Sequence, residues 1–342
     1  LDLVATAIGA DIVPITGENR VLAYFGLQVI NESPRAGFKA IINQIKKTEL
    51  TITDVVFIIA PRINAAGRME HGQHAVNLLT EKDENQAQKF ASEIEKYNID
   101  RRGLDQEITI EALNQINENK EQEGFTSVVY KDTWHKGVIG IVASRLTETY
   151  YRPTLVFTKS GDKLAASARS VKGFDVYNAL EGCAEYIEQF GGHKYAAGLT
   201  LLEEQYENFK AQFEKVVAET IDPNLLIPEI TVDMQIELKD ITPKLMRIIN
   251  QFAPFGPGNM TPVFMAEKGN DSGYAKGVGE DEKHLKCAVT QNGYGPIGCI
   301  GFNLGDKLPL ITSRKPFSTV FTIDENEWQG NVSLQLKLKD LR

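Results

Sequence analysis

Gly191-Gly192-His193, followed by Ala196-Ala197-Gly198, sets an imidazole beside two residues that have no side chain. Glycine lets a backbone approach a bulky anion, and the imidazole can donate a hydrogen bond or a proton. Two upstream segments carry matching chemistry. His135-Lys136-Gly137-Val138-Ile139-Gly140 opens a helical pattern whose first-turn N–H groups and positive dipole end suit an anion, although its glycines equally suit tight helix–sheet packing. Ser167-Ala168-Arg169-Ser170 reads as extended chain, and alternation puts Ser167 and Arg169 on one face, where a guanidinium can grip a phosphate bidentately. A surface arginine on an edge strand is the competing reading of that pair. Arg62-Ile63-Asn64-Ala65-Ala66-Gly67-Arg68 sets two arginines around small residues, a pattern open to a polyanion. Asp11, before the turn residue Pro14, is either a metal ligand or a turn aspartate, and one carboxylate cannot hold a catalytic metal. Together these segments predict a site that holds a phosphate.

The whole chain is less suggestive than these segments. Its 342 residues exceed what one core supports, roughly 250 to 300 residues, so more than one domain is expected. A hydrophobic fraction of 42% and a charged fraction of 24% are those of a soluble globular protein. No apolar run approaches the roughly 18 residues of a membrane span, so no membrane partner is expected. The net charge of −9 argues against non-specific coating of nucleic acid, which needs many cations to neutralise phosphates. A local basic groove remains open, because acidic residues gather at 81–95, 118–123 and 203–219 while Arg62, Arg68, Arg145, Arg152 and Arg169 lie in motif-like segments. Cys183, Cys287 and Cys299 are widely spaced and form no CxxC, so neither a disulfide framework nor a cysteine zinc site is indicated, and a reducing, cytoplasmic setting fits. The chain opens on Leu1 without a signal pattern, which leads us to expect a piece of a longer protein.

The elements that must position these residues follow from periodicity. Residues 55–60 form a continuous apolar run closed by Pro61, which predicts a strand with Arg62 and Arg68 in a turn region beyond it. Apolar residues recur at helical spacing from about 73 to 119, predicting a long helix in one or two segments that serves as a spacer or guides a ligand. Strands at 127–130, 154–158, 164–170 and 197–202 alternate with helices at 137–150, 176–190 and 205–220, the pattern of an α/β domain. Beyond Asp222-Pro223, short strands at 230–238, 263–266, 288–291, 295–302, 318–323 and 332–338, with a helix at 243–251, predict a small barrel or sandwich. Phe264, His284, Lys286, Phe302, Lys337 and Lys339 lie on or near those strands, either as a stacking surface for single strands or, for the phenylalanines, as core. Pro254-Phe255-Gly256-Pro257-Gly258-Asn259 reads as a rigid structural turn.

In this order, the motifs resemble the DHH/DHHA1 phosphoesterase family, and within it the bacterial single-stranded-DNA-specific 5′ to 3′ exonucleases. The resemblance rests on Gly9 to Pro14 with Gly17 to Arg20, Pro61 to Arg68, His135 to Arg145, Ser167 to Ser170, Gly191 to His193 through Ala196 to Leu199, Pro254 to Asn259, and His284-Leu285-Lys286. It implies an α/β protein in four parts: a C-terminal remnant of a DHH domain over 1–72, a connecting helix over 73–122, an α/β DHHA1 domain over 123–222, and a C-terminal β-barrel of OB-fold type over 223–342.

The resemblance also implies roles. Family members hold two divalent metals, Mn²⁺ or Mg²⁺, through aspartates and an Asp-His-His motif that is absent from this sequence, and Asp11 alone matches a metal ligand. Arg62 or Arg68, together with Ser167 and Arg169, match the pocket for the DNA 5′ phosphate. His135, Ser170, Gly191 and Gly192 join them as substrate contacts, and His193 is the catalytic candidate beside the scissile bond. Single-stranded DNA is the implied partner, with a single-strand-binding protein or a helicase as candidate protein partners. The chain itself is expected to be inactive and to hold its metals incompletely. A phosphodiesterase of short oligonucleotides or cyclic dinucleotides, and a non-catalytic single-strand-binding relative, are the rival readings; the β-rich region after Asp222 counts against the first.

Overall fold

The computed structural model describes residues 1–45, 47 and 49–342. Among the described residues seven α-helices precede the first strand: Asp2–Ala10 (α1), Gly17–Glu32 (α2), Ala36–Ile45 (α3), Ile52–Asp54 (α4), Ala60–Met69 (α5), Gln73–Thr80 (α6) and Glu84–Glu118 (α7). Alternating elements follow, namely Ser127–Tyr130 (β1), Ile139–Tyr150 (α8), Thr154–Ser160 (β2), Lys163–Arg169 (β3), Val176–Glu181 (α9), Gln189–His193 (β4), Ala196–Leu201 (β5) and Tyr206–Thr220 (α10). The remainder comprises Met234–Gln235 (β6), Pro243–Asn250 (α11), Phe264–Asp271 (β7), Lys276–Val278 (β8), His284–Gln291 (β9), Tyr294–Gly301 (β10), Leu308–Thr312 (α12), Phe317–Trp328 (β11) and Asn331–Leu341 (β12). They form two units, one of residues 34–48 and 58–228 and one of residues 1–33, 49–57 and 229–342.

Residues 55–60 are not a strand. Thr51 and Asp54 form a reciprocal capping box that starts α4, and a π-helical turn at Val55–Ile59 carries the chain into α5. Val55 and Ile59 are fully buried whereas Phe57 between them is 74% exposed, a helical rather than an alternating pattern. The wide turn lies directly before Pro61, which has no N–H to donate and whose ring crowds the carbonyl four residues back. Arg62 and Arg68 therefore sit on a helix.

In the unit of 34–48 and 58–228, five strands run in the order β1-β2-β3-β5-β4, with β1 parallel to β2 and the other neighbours antiparallel. Alternation gives the sheet two faces. Leu155, Phe157, Leu164, Ala166, Ala168, Ala197, Leu199 and Leu201 point into a core closed by Val176 and Leu180 of α9 and Phe209, Phe213 and Val217 of α10. On the other face Val129 and Val156 pack against Val142, Ala143 and Leu146 of α8 and against Ile108, Ala112 and Ile116 of α7. The 35-residue helix α7, about 50 Å long, is therefore part of the core and not a bare spacer. It starts where the Asp83 side chain accepts from Gln86 N–H at 2.8 Å, which separates it from α6. Its buried stripe includes Asp105, which takes both arms of the Arg145 guanidinium at 2.8 and 2.7 Å and so fastens α7 to α8. Arg152, also buried, donates to Ser127 Oγ and to the carbonyls of Glu121, Gln122 and Gly124. Both arginines serve the fold.

The helix expected over 176–190 stops at Glu181, and Gln189–His193 instead forms the edge strand β4. Gly192 has φ +151°, and a Cβ there would strike the backbone of Ala196 and Ala197, so this glycine permits the close pairing of β4 with β5.

In the other unit, seven strands follow the order β6-β7-β11-β12-β10-β9-β8. The ends of β7 and β9 also meet, over only Asn270↔Thr290 and Asp271↔Val289, so the expected barrel is a curled sheet without a clear closing ladder. Phe321, Leu336, Leu285 and Cys287 form its core, together with Met246 and Ile249 of α11. The turn at 254–259 has the structural role expected of it. The Pro257 carbonyl accepts from Ile15 N–H at 2.6 Å, and a side chain at Gly256 would displace Ile15.

Candidate phosphate-binding site

Strand pairing gathers the motif residues. Ser167 lies opposite Gly198, which lies opposite Gly191; two rungs along, Arg169 lies opposite Ala196, which lies opposite His193. Partners in register share a face, so Ser167, Arg169, Gly198, Gly191 and His193 form one surface, the face that α8 covers only in part. Gly191 has open space where a side chain would stand, and Gly198 has only the Ala166 carbonyl within reach. The floor is bare backbone at Gly191 and Gly198, flanked by Ser167 and Arg169 on one side and the exposed His193 on the other.

The first turn of α8 forms the wall above Ser167 and Arg169. A Cβ on Gly140 would lie 3.1 Å from both Arg169 Nη2 and Ser167 Oγ, so only glycine fits there without displacing them. The turn before it is held by His135, whose carbonyl accepts from Val138 N–H at 2.9 Å and whose Nδ1 accepts from Gly137 N–H at 3.1 Å. An accepting Nδ1 carries no proton, which leaves Nε2–H as the donor of that ring. His193 has the same arrangement, with Nδ1 accepting from Tyr195 N–H at 3.4 Å. Arg68 completes the wall: it donates to the Gly137 carbonyl at 3.1 Å, and its own carbonyl packs where a Gly137 side chain would stand.

The charges around this surface are unbalanced. Arg169 donates to Ser167 Oγ at 3.0 Å and to the Ala168 carbonyl at 2.7 Å, and no carboxylate pairs with it or with Arg68 among the described residues. Burial, then the nearby Arg68 charge, pulls the Arg169 guanidinium below its ordinary range. Arg101 on α7 is lowered in the same way, first by burial and then, against the pull of Asp105, by Arg68, Arg102 and Arg145. A cluster of cations with one buried aspartate among them is a positive field in a chain of net charge −9. Hydroxyl, guanidinium, imidazole N–H and helix N-terminus converging on a bare floor can hold a phosphate from several sides.

Not every expected residue joins this surface. Arg62 turns to α7, where Nε meets Glu95 Oε2 at 2.6 Å in an ion pair bent away from hydrogen-bond geometry, while Nη1 donates to the Ile58 carbonyl. The Ser170 hydroxyl is occupied by the Phe174 carbonyl at 3.1 Å. Gly192 holds the strand pair and does not line the floor. Asp11 belongs to the other unit, exposed at the C-terminal end of α1. Among the described residues no three His, Cys, Asp or Glu side chains come together as a metal site, so these residues by themselves do not fit a metal pair. Sequence reading overlooked Lys194 and Tyr195 at the β4–β5 turn; a basic and an aromatic residue side by side between two glycine motifs was the available signal.

A second surface lies in the unit that contains β6–β12. Phe302, 52% exposed, has the His284 ring at 5.3 Å and the Lys337 ammonium 5.7 Å from its centroid. Lys286 and Lys337 are both register partners of Ile300, and the exposed Tyr274 carries Lys276 at 5.3 Å. Cations beside exposed rings suit stacked bases and their phosphates. Phe264, by contrast, is buried in the core.

Comparison with known proteins identifies the two domains. Residues 122–219 match the DHHA1 domain and residues 232–340 match the RecJ OB domain. The single-stranded-DNA-specific exonuclease RecJ of Bacillus subtilis (strain 168) is 34% identical over 347 residues, an alignment covering 99% of this chain and 43% of that protein. Crystal structures of RecJ from Thermus thermophilus in complex with Mg²⁺ and with Mn²⁺ superpose with a TM-score of 0.87 at 28% identity, covering 100% of this chain and 52% and 49% of theirs. The chain thus spans about half the length of the relatives it matches. Over its full length it is a homologue of the RecJ exonucleases, with a DHHA1 domain followed by a RecJ OB domain.

Proposed function

We propose that this chain is the end-binding portion of a single-stranded-DNA-specific 5′ to 3′ exonuclease that acts in recombination and repair. The observation that carries the reading is the surface of Ser167, Arg169, Gly191, Gly198 and His193, walled by Gly140 and Arg68 and lacking, among the described residues, any carboxylate partner for its two arginines. Such a surface suits the 5′-terminal phosphate, whose extra charge distinguishes a strand end from its interior. Ser167, Arg169 and Arg68 bind and orient the phosphate, the N–H of His135 adds a donor, and His193, at the open edge, donates to the phosphate or to the leaving oxygen. The Phe302, His284 and Lys337 cluster is a second surface suited to the bases and phosphates of single strands.

Divalent metal, Mn²⁺ or Mg²⁺ and two ions per site, belongs to the whole enzyme; Asp11 would supply one ligand, and the chemistry such ions would supply is activation of water. With one such carboxylate the chain by itself is inactive. The part before residue 73 corresponds to a DHH remnant and α7 to the connecting helix. A single-strand-binding protein or a helicase is the class of partner that would present such an end. The setting is the cytoplasm, where three buried, unpaired thiols stay reduced.

Fluorescence-anisotropy titration of the 342-residue chain tests the reading. Arg169→Ala is expected to weaken binding of a 5′-phosphorylated oligonucleotide by about tenfold, the scale of one charge-assisted hydrogen bond, and to leave the 5′-hydroxyl oligonucleotide nearly unaffected. Equal losses on both would remove the assignment, and mononucleotide release by this chain in Mn²⁺ would overturn its inactivity.

A further inference from the structure

We propose that Tyr195, at the tip of the β4–β5 hairpin, stacks on the first base of the single strand whose 5′ phosphate rests at Arg169. The inference deepens the reading above and rests on it. Its basis is position. Arg169, Ala196 and His193 share one rung of the sheet, and Lys194 and Tyr195 form the two-residue turn that closes this rung. The residue after β3, Ser170, donates its N–H to the Tyr195 carbonyl at 3.1 Å, so the aromatic residue stands directly beyond the phosphate side chains. A base is one sugar away from its 5′ phosphate, and Tyr195 directly precedes Ala196, the register partner of Arg169.

The tip is held in place. Besides the bond from Ser170, Val176 N–H donates to the Lys194 carbonyl at 3.0 Å, and Tyr195 N–H donates to His193 Nδ1 at 3.4 Å. Three hydrogen bonds fix a turn whose ring the fold does not use. Tyr195 is 43% exposed, lies outside the core beneath the sheet, and makes no side-chain hydrogen bond among the described residues. A turn whose backbone is already held loses little freedom on binding, which favours stacking. The Lys194 ammonium lies 5.6 Å from its centroid and adds a cation where the next phosphate would pass. Stacking tolerates any base, as an enzyme that consumes arbitrary sequence requires.

The test compares two 5′-phosphorylated oligonucleotides that differ only in whether the first nucleotide carries a base or is abasic. The native chain, Tyr195→Ala, Tyr195→Phe and Arg169→Ala are titrated with both. Tyr195→Ala is expected to lose about tenfold on the oligonucleotide with a base and nothing on the abasic one, and Tyr195→Phe to behave as native. An equal loss on both oligonucleotides, or no loss at all, overturns the stacking role while leaving the phosphate site standing if Arg169→Ala still discriminates against the phosphorylated end. If Arg169→Ala fails to discriminate, the phosphate site falls, and this inference with it.

Discussion

Arg169 donates to Ser167 Oγ at 3.0 Å directly beneath Gly140, so the two side chains that would grip a phosphate are already locked together under a helix N-terminus. Gly140→Ala separates function from stability at this point. Alanine favours a helix by up to about 1 kcal/mol over glycine, but its methyl group would sit 3.1 Å from Arg169 Nη2 and Ser167 Oγ and push both aside. The expected outcome is a melting temperature at or slightly above native and an about tenfold loss of preference for a 5′-phosphorylated end. A variant that keeps the preference would show that the wall above Arg169 has slack.

Arg62 and Arg68 flank the same small residues, and the structure gives them opposite roles. Arg68 faces Gly137 beside the phosphate surface, whereas Arg62 pairs with Glu95 of α7. Arg62→Ala should lower stability by about 1–2 kcal/mol in urea, because it leaves a half-buried carboxylate alone, without changing discrimination between 5′-phosphate and 5′-hydroxyl ends. Arg68→Ala should do the reverse. Discrimination that follows Arg62 would return that residue to the site.

Much of this surface was legible before the fold was known. Alternation put Ser167 and Arg169 on one face, and helical spacing located α7, α8 and α10, because those signals are local. What failed depended on context. The run 55–60 is β-branched and apolar, so propensity favoured a strand, whereas the capping box at Thr51 and Asp54 and the burial of Val55 with Ile59 made it helical. Gly191 and Gly192 have no side chains from which to read a period, and their strand exists only because β5 pairs with it. No local rule separates Arg62 from Arg68, since the difference is which helix faces each. The OB-type sheet was visible as a series of short strands, but whether it closes depends on two residue pairs between β7 and β9.

Asp105 is nearly inaccessible, and Arg145, half exposed, supplies both of its strong bonds; Arg101 stands at 4.0 Å. Arg145→Ala should therefore cost more than Asp105→Ala, about 3–5 kcal/mol, because it strands a buried carboxylate, whereas Arg145 freed of Asp105 can turn to water. Since this fork fastens α7 to α8, whose first turn walls the site, the same variant should also weaken preference for the phosphorylated end. Chemical denaturation of the two variants side by side decides the order. The reverse ranking would mean that Arg101 compensates Asp105 on its own.

Burial pushes the Cys183 thiol up to about 12, with Glu185 adding to the shift, and the thiol donates to the Ala179 carbonyl at 3.5 Å. The sign follows from counting protons. Between the ordinary thiol pKa of about 8.5 and the raised value, the unfolded chain releases a proton that the folded chain keeps, so stability is full below that window and falls as pH rises through it. By pH 10 the loss from this group should be on the order of 1–2 kcal/mol. The Cys299 thiol, raised by its contact with Cys287 and by burial, adds to the same trend, and Tyr206, raised by burial, contributes only at higher pH. Cys183→Ala should flatten the decline between pH 8 and 10 without abolishing it, as read by urea midpoints across that range. An unchanged slope would mean that water reaches the Cys183 thiol beneath the sheet.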